Sequence, residues 1–492
     1  MHRKSQLESE PRLPIKLDST SNGEHHPVPL HPDVQLVKAL AMERAETNAR
    51  RLGLSRRQFL MSACGAATTL LCMNRVFARR GNTGGFFDVS PEMELDPAAA
   101  AARLTGDQFI FDVQTHHIRP SGEWLRRNPD FVNFMNYFGQ TKCGEPEPAH
   151  CLTRDYYVKE IFLDSDTTMA VLSAVPPVFV DVPLTMEEAA ATRAIVDRMD
   201  GSPRLQIHGL ALPNLEPKTA QLEGMQRLVE EWKIRAWKVY TPWGPDKKTG
   251  WWLDDPATGI PFIEKARQFG VKIICAHKGL SLPGFTSEFA SPRDIGVVAK
   301  MFPDVTFIVY HSGFEPAAPE GPYDPAQASL GVNALIKSLH DNKIPTNSNV
   351  YAELGSTWRQ VMKNPTAAAH VIGKLLKFVG QDRVLWGTDS IWFGSPQDQI
   401  QAFRAFQISE ELQERYGYPA LTDQIKAKVF GLSAAVPYGV NPSEVRKKIR
   451  RDPIEKTKTA YLENPQPSFS TAGPKTRREL LHLLRQRDGW PA

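Results

Sequence analysis

Apolar runs of strand length recur along the middle of the chain and alternate with helical patterns from about residue 107 onward. They predict strands at 108–115, 168–175, 205–212, 234–240, 271–276, 305–310, 349–354 and 383–387. These runs are largely apolar rather than alternating, as strands are when a parallel sheet is covered on both faces. Between them, Thr185-Met186-Glu187-Glu188 and Ser395-Pro396-Gln397-Asp398 place a capping hydroxyl three residues before an acid. Ser291-Pro292, Asn364-Pro365 and Asp255-Pro256 give further helix starts. Eight strands separated by helices is the number that closes a barrel, so the expected fold is α/β, a (β/α)8 TIM-like barrel over residues 107–441.

The flanks have a different texture. Residues 1–54 are polar, with scattered Pro and Gly, and are expected to be disordered. Residues 55–78 run Ser55-Arg56-Arg57-Gln58-Phe59-Leu60, then uncharged to Asn74, then Val76-Phe77-Ala78. Paired arginines, a modest apolar stretch and a small residue at a cleavage point resemble a twin-arginine export signal; a helix is the competing reading. Export would place the protein in a periplasmic or extracellular compartment, and failure of the signal would leave it cytoplasmic. Residues 79–106 read as a linker. Residues 442–492 read as a basic extension with a helix, where Arg446-Lys447-Lys448-Ile449-Arg450-Arg451 is a solvated face. Two connections are long for simple crossovers: 119–153, with Trp124, Phe131, Phe134, Tyr137 and Phe138, and the Pro- and Gly-rich 313–326. The aromatic one is either a lid or wall over a site, or packing on the barrel rim.

Charge narrows the partners. The formal charge is +4, and residues 1–78, with 11 Lys/Arg against 7 Asp/Glu, carry all of it. The near-neutral body offers no basic face for nucleic acid. No apolar run approaches the roughly 18–20 residues that span a bilayer, so no stable membrane anchor is expected. A small-molecule substrate is the expected partner, with a homo-oligomer left open. Cys143 and Cys151 stand eight apart and are either a disulfide or two unrelated thiols; Cys275 lies in an apolar run and reads as core.

The strand ends carry the chemistry. They bring Gln114, His116 and His117 from the first strand, Lys238 from the fourth, His277 from the fifth and His311 from the sixth. The seventh strand gives Glu353 and the eighth leads to Asp389. One histidine at a strand end is usually structural, but several metal-competent groups on the face where barrel sites assemble point to a metal. Asp112 to His116, His277-Lys278-Gly279, His311-Ser312-Gly313 and Trp386-Gly387-Thr388-Asp389 together resemble the amidohydrolase-related family of metal-dependent hydrolases. That family includes decarboxylases of the aminocarboxymuconate-semialdehyde type. The segment Lys428-Val429-Phe430-Gly431-Leu432-Ser433-Ala434-Ala435, leading to Tyr438-Gly439-Val440, resembles its closing element.

The resemblance implies that His116, His277 and Asp389 ligate one divalent metal, zinc in the first place with manganese or another ion as the alternative. It also implies that Asp389 orients or deprotonates bound water and that His311 is the catalytic acid or base. Gln114 departs from the pattern, because the family's first strand carries His-x-His. Three outcomes stay open: a weaker or different metal, recruitment of His117, or a barrel that binds without catalysis. An ideal strand points His117 away from the side that holds His116, which disfavours recruitment. Lys238 and Glu353 are expected to touch substrate or to support the ligands. The leading functional expectation is hydrolysis of an amide, ester or lactone by metal-activated water. Non-oxidative decarboxylation of a carboxylic acid is the alternative, and Trp243, Trp251 and Trp252 would suit an aromatic one.

Overall fold

A computed structural model describes residues 12–119, 143, 145, 148–175, 182–200, 204–244, 249–281, 286–450, 452–467, 471 and 473–485. Its centre is an eight-stranded parallel sheet: β1 Phe111–Thr115, β2 Met169–Leu172, β3 Leu205–Leu210, β4 Ala236–Tyr240, β5 Ile273–His277, β6 Thr306–Tyr310, β7 Val350–Glu353 and β8 Val384–Leu385. Each strand pairs with the next in chain order. The circle closes where Val113 N donates to Trp386 O (3.0 Å) and Asp389 N to Gln114 O (2.9 Å), with Thr115 bridging Ser390. The expected (β/α)8 barrel is the fold.

Two clusters of apolar side chains divide the work of holding it. Phe111, Val113, Val171, Ala236, Cys275, Ile308 and Leu385 pack together within the sheet, and Tyr438, Val445 and Ile449 join them from beyond the last strand. The larger cluster lies between the strands and the surrounding helices. Phe111 and Val113 belong to the first of these clusters, so strict alternation would turn Gln114 and His116 away from it. The pairing of β1 with β2 slips between Asp112 and Thr115, and that irregularity re-aims the end of the strand. Asp112 pins the slip: its Oδ1 accepts from Gln114 N (3.1 Å) and Thr388 N (3.1 Å), and its Oδ2 accepts from the Thr388 hydroxyl.

The flanks carry more structure in the described residues than expected. Residues 12–54 are ordered. Leu13, Ile15 and Leu17 are buried, and α1 (Pro32–Arg51) comes next with Val34, Val37, Ala41 and Ala45 turned inward. Polar composition had hidden the narrow apolar stripe that suffices for a helix packed on a larger body. The stretch resembling an export signal forms α2 (Arg56–Met61), opened by a Ser55–Gln58 capping box, and α3 (Ala63–Arg79). Leu70, Phe77 and Met73 of α3 lie in the main core, with α1 packed against them. The apolar run is thus spent on tertiary packing.

Residues 79–106 are not a simple linker. Gly85–Phe87 forms an antiparallel pair with Phe406–Ile408, and Asn74 of α3 bonds both the N–H and the carbonyl of Phe87. The helix α4 (Pro97–Leu104) buries Ala100 and Leu104. The C-terminal extension holds three helices, Pro442–Ile449, Pro453–Glu463 and Arg477–Arg485, rather than one. It is tied to the barrel by a buried ion pair between Arg204 and Asp452. Cys143 and Cys151 are joined as a disulfide, and Cys275 is buried and free. The five aromatic residues expected in the 119–153 connection fall outside the described residues. Among the described residues, no helix is long and apolar enough to cross a membrane.

Candidate metal centre

His116, His277 and His311 meet at the C-terminal ends of β1, β5 and β6, all buried. Each spends one ring nitrogen on a backbone carbonyl: His116 Nδ1 on Ser173 O (3.0 Å), His277 Nε2 on Leu280 O (3.0 Å) and His311 Nδ1 on Gly355 O (2.8 Å). A carbonyl only accepts, so those nitrogens carry the protons. His116 Nε2, His277 Nδ1 and His311 Nε2 are left facing the centre, where each can take a metal ion or a proton. Burial favours the proton-free ring at two of them, pushing His311 down to about 4 against the pull of Asp389 and holding His277 well below its usual range.

Two carboxylates face these nitrogens. Asp389 Oδ1 lies 3.1 Å from His116 Nε2, and Glu24 Oε1 lies 3.9 Å from His277 Nδ1. Lone pairs and a carboxylate at such range need a proton or a cation between them. His277 Nδ1 has no hydrogen-bond partner. Donor atoms of Glu24, His277 and His311 all lie within 4.8 Å of one another. The donor set of imidazole nitrogens and carboxylate oxygens, with an unpartnered buried nitrogen among them, fits a divalent ion.

The other expected residues sit around this centre. Gln114 presents its amide nitrogen, donating to Asp389 Oδ1 (3.0 Å), while its Oε1 makes no hydrogen bond. In that orientation it steers the carboxylate and offers no ligand atom. His117 is turned away, with Nε2 against Thr192 Oγ1 (2.9 Å) and Nδ1 against Ile118 O, and so takes no part. Glu353 accepts from His311 N (3.0 Å) and Gly355 N (2.5 Å), which fixes the backbone under the His311 ring; burial pushes its carboxyl up to about 8. The Lys238 ammonium lies 3.7 Å from the Tyr310 ring centre and 4.6 Å from that of Tyr240, without a hydrogen-bond partner, and burial lowers it to about 8. His311 and Asp389 both hold left-handed backbone (φ 62° and 61°), a conformation that L residues keep only where the surroundings enforce it.

Several participants were invisible in the sequence. Ser356 Oγ donates to Asp389 Oδ2 (2.6 Å), and so does Asn22 Nδ2 (3.0 Å) from the N-terminal segment. Trp392 stacks on the His116 ring (5.5 Å between centres) and is only partly buried. Trp243 and Trp251 are buried in the packing, and Trp252 packs on Phe289 and under the Arg293 guanidinium. Trp392 comes just after the Asp389 motif, and that position is the one signal that could have singled it out. For Asn22 and Glu24 no local signal existed.

Comparison with known proteins supplies the family. The amidohydrolase family model matches residues 154–440. Similar solved structures include 5-carboxyvanillate decarboxylase from Sphingomonas paucimobilis, 11% identical, with a TM-score of 0.39 over 68% of this chain and 100% of that one. A 2,6-dihydroxybenzoate decarboxylase from Rhizobium is 15% identical, with a TM-score of 0.40 over 68% and 99%. The 4-oxalomesaconate hydratase from Rhodopseudomonas palustris is 14% identical, with a TM-score of 0.39 over 70% and 98%. No curated protein sequence matches the chain. The family model spans more than half of the residues, and the chain belongs to the amidohydrolase family.

Proposed function

We propose that the barrel is a divalent-metal enzyme that removes a carboxylate from a small organic acid without a redox cofactor. The carrying observation is the state of Asp389. Three neutral donors, Gln114, Ser356 and Asn22, occupy both of its oxygens. Burial alone would raise Asp389, but its contact with His116 outweighs that and keeps the carboxyl well below its usual range. Hydrolysis needs a base that takes a proton from water, and a carboxylate held this way is a poor one. It is well suited to stay an anion and hold position.

Decarboxylation asks for other things. A divalent ion bound here would polarise substrate oxygens. Lys238, a buried cation with no hydrogen-bond acceptor, can receive the substrate carboxylate. Breaking the carbon–carbon bond leaves an electron pair on carbon, which must receive a proton. His311 Nε2 can carry that proton, and the low affinity of the ring for it makes the protonated form a strong donor. Trp392 gives the mouth a flat wall against which a planar acid could lie.

The test is a substrate panel on protein supplied with manganese or zinc. Hydroxylated benzoic acids and other carboxylic acids are followed by carbon dioxide release, and amides, esters and lactones by acid production. Carbon dioxide release that disappears in His311→Ala supports the proposal. Turnover of the amide, ester or lactone set alone would overturn it in favour of hydrolysis.

A further inference from the structure

The N-terminal segment reaches the mouth of the barrel and stays there. Lys16 Nζ donates to Phe393 O (2.8 Å) and Ser395 O (2.7 Å), and Asp18 receives the Arg359 guanidinium at 2.9 Å. Ser21 N donates to Pro474 O (2.9 Å), so the C-terminal extension clamps the strap from its other side. Between these anchors the chain makes a tight turn. Ser21 Oγ bonds His25 O (2.5 Å) and accepts from Gly23 N (3.0 Å), and Gly23 takes a φ of 95° that suits glycine. The turn aims Asn22 and Glu24 inward. Asn22 Nδ2 bridges Glu24 Oε2 (2.7 Å) and Asp389 Oδ2 (3.0 Å), which sets the two carboxylates side by side.

We propose that Glu24 is a ligand of the metal in the barrel, supplied by the N-terminal strap in place of the donor that Gln114 does not offer. The inference rests on the metal reading of the site. His277 Nδ1, buried and unpartnered, lies 3.9 Å from Glu24 Oε1, and a cation between them satisfies both. Gln114 shows its amide N–H to the centre, so the first strand brings His116 as its one metal-competent donor. Glu24 restores the donor count and adds an anionic oxygen, which favours a harder ion such as manganese alongside zinc. The strap is therefore part of the centre, and the C-terminal extension holds it in place.

Metal-free full-length protein is titrated with manganese, and separately with cobalt, in the wild type, Glu24→Gln and Asp18→Asn. Glu24→Gln keeps the shape of the side chain, and Asp18→Asn loosens the strap at its Arg359 anchor without touching the site. The expected result is one ion in the wild type and at least about tenfold weaker binding in Glu24→Gln. A smaller loss is expected in Asp18→Asn. The visible absorption of bound cobalt should change between wild type and Glu24→Gln, as it does when a ligand is exchanged, while the thermal midpoints of the metal-free forms stay close. One ion bound equally tightly with the same cobalt spectrum in both would overturn the role of Glu24 and leave the metal site standing. No ion in the wild type would overturn the metal site itself, and the ligand role with it.

Discussion

Gln114 donates its side-chain amide to Asp389 Oδ1 across 3.0 Å. The residue that breaks the histidine pattern of the first strand therefore has a definite task, holding one oxygen of the carboxylate while Ser356 and Asn22 hold the other. Replacing it with alanine removes the bond and leaves a void beside His116. Outer hydrogen bonds of this kind typically tune metal affinity by about 10–100-fold. A loss in that range is expected for Gln114→Ala in a competition titration with a chelator. Undiminished affinity would mean that Asp389 is oriented without it.

His116 and Asp389 face each other at 3.1 Å, with a cation or a proton required between them. Untreated protein should carry about one divalent ion, and His116→Ala and Asp389→Ala should each carry far less. Elemental analysis of the three side by side decides it; equal metal in all of them would sink the centre.

Gly387 explains itself through space. A Cβ there would run into the Glu353 carboxylate and stand 3.2 Å from Gln114 Cβ. Gly387→Ala must push Glu353 off the amide nitrogens of His311 and Gly355. We expect turnover to fall by more than tenfold, with overpacking costing about 1–3 kcal/mol in denaturant unfolding. A variant with wild-type turnover would show that the Glu353 contact is dispensable.

Lys363, whose Nζ donates to Asp18 O (3.1 Å), gives the strap a pH dependence. Burial, and then the charge of Arg359, lower its ammonium to about 7, and the neutral amine is the form the fold prefers. The unfolded chain holds that proton until about pH 10.4. Between these values the unfolded state binds more protons, so stability rises with pH through this window and falls as pH drops toward 7. The rise attributable to Lys363 is on the order of 2 kcal/mol from about pH 7 to pH 9. Thermal midpoints across that range should climb less in Lys363→Met than in the wild type. Parallel curves would show that Lys363 titrates normally.

The buried helix α3 makes its own prediction about processing. Leu70→Ala should cost about 2–5 kcal/mol, as buried leucine truncations do. Cleavage after Ala78 would strip that helix from the core and take Glu24 from the site. We expect the active protein to retain residues 12–78, which N-terminal sequencing of a purified active fraction would check. An active form beginning at Arg79 would refute both the packing role and the ligand role.

The sequence by itself determined the barrel. Eight apolar runs spaced by capped helices admit few other parallel arrangements, and strand period and strand ends marked His116, His277, His311, Glu353 and Asp389 as neighbours. These are local patterns, and local patterns are legible along a chain. It did not reveal that Gln114 turns its nitrogen to Asp389, because the orientation of an amide is set by partners distant in the chain. Nor did it place Asn22 and Glu24, which sit in a polar stretch with no periodicity of its own. Their position depends on anchors at Phe393, Arg359 and Pro474, contacts that exist only once the barrel and the C-terminal extension are folded. The apolar run of α3 shows the same limit: composition records that a segment is hydrophobic, and only the tertiary structure decides what it is buried against.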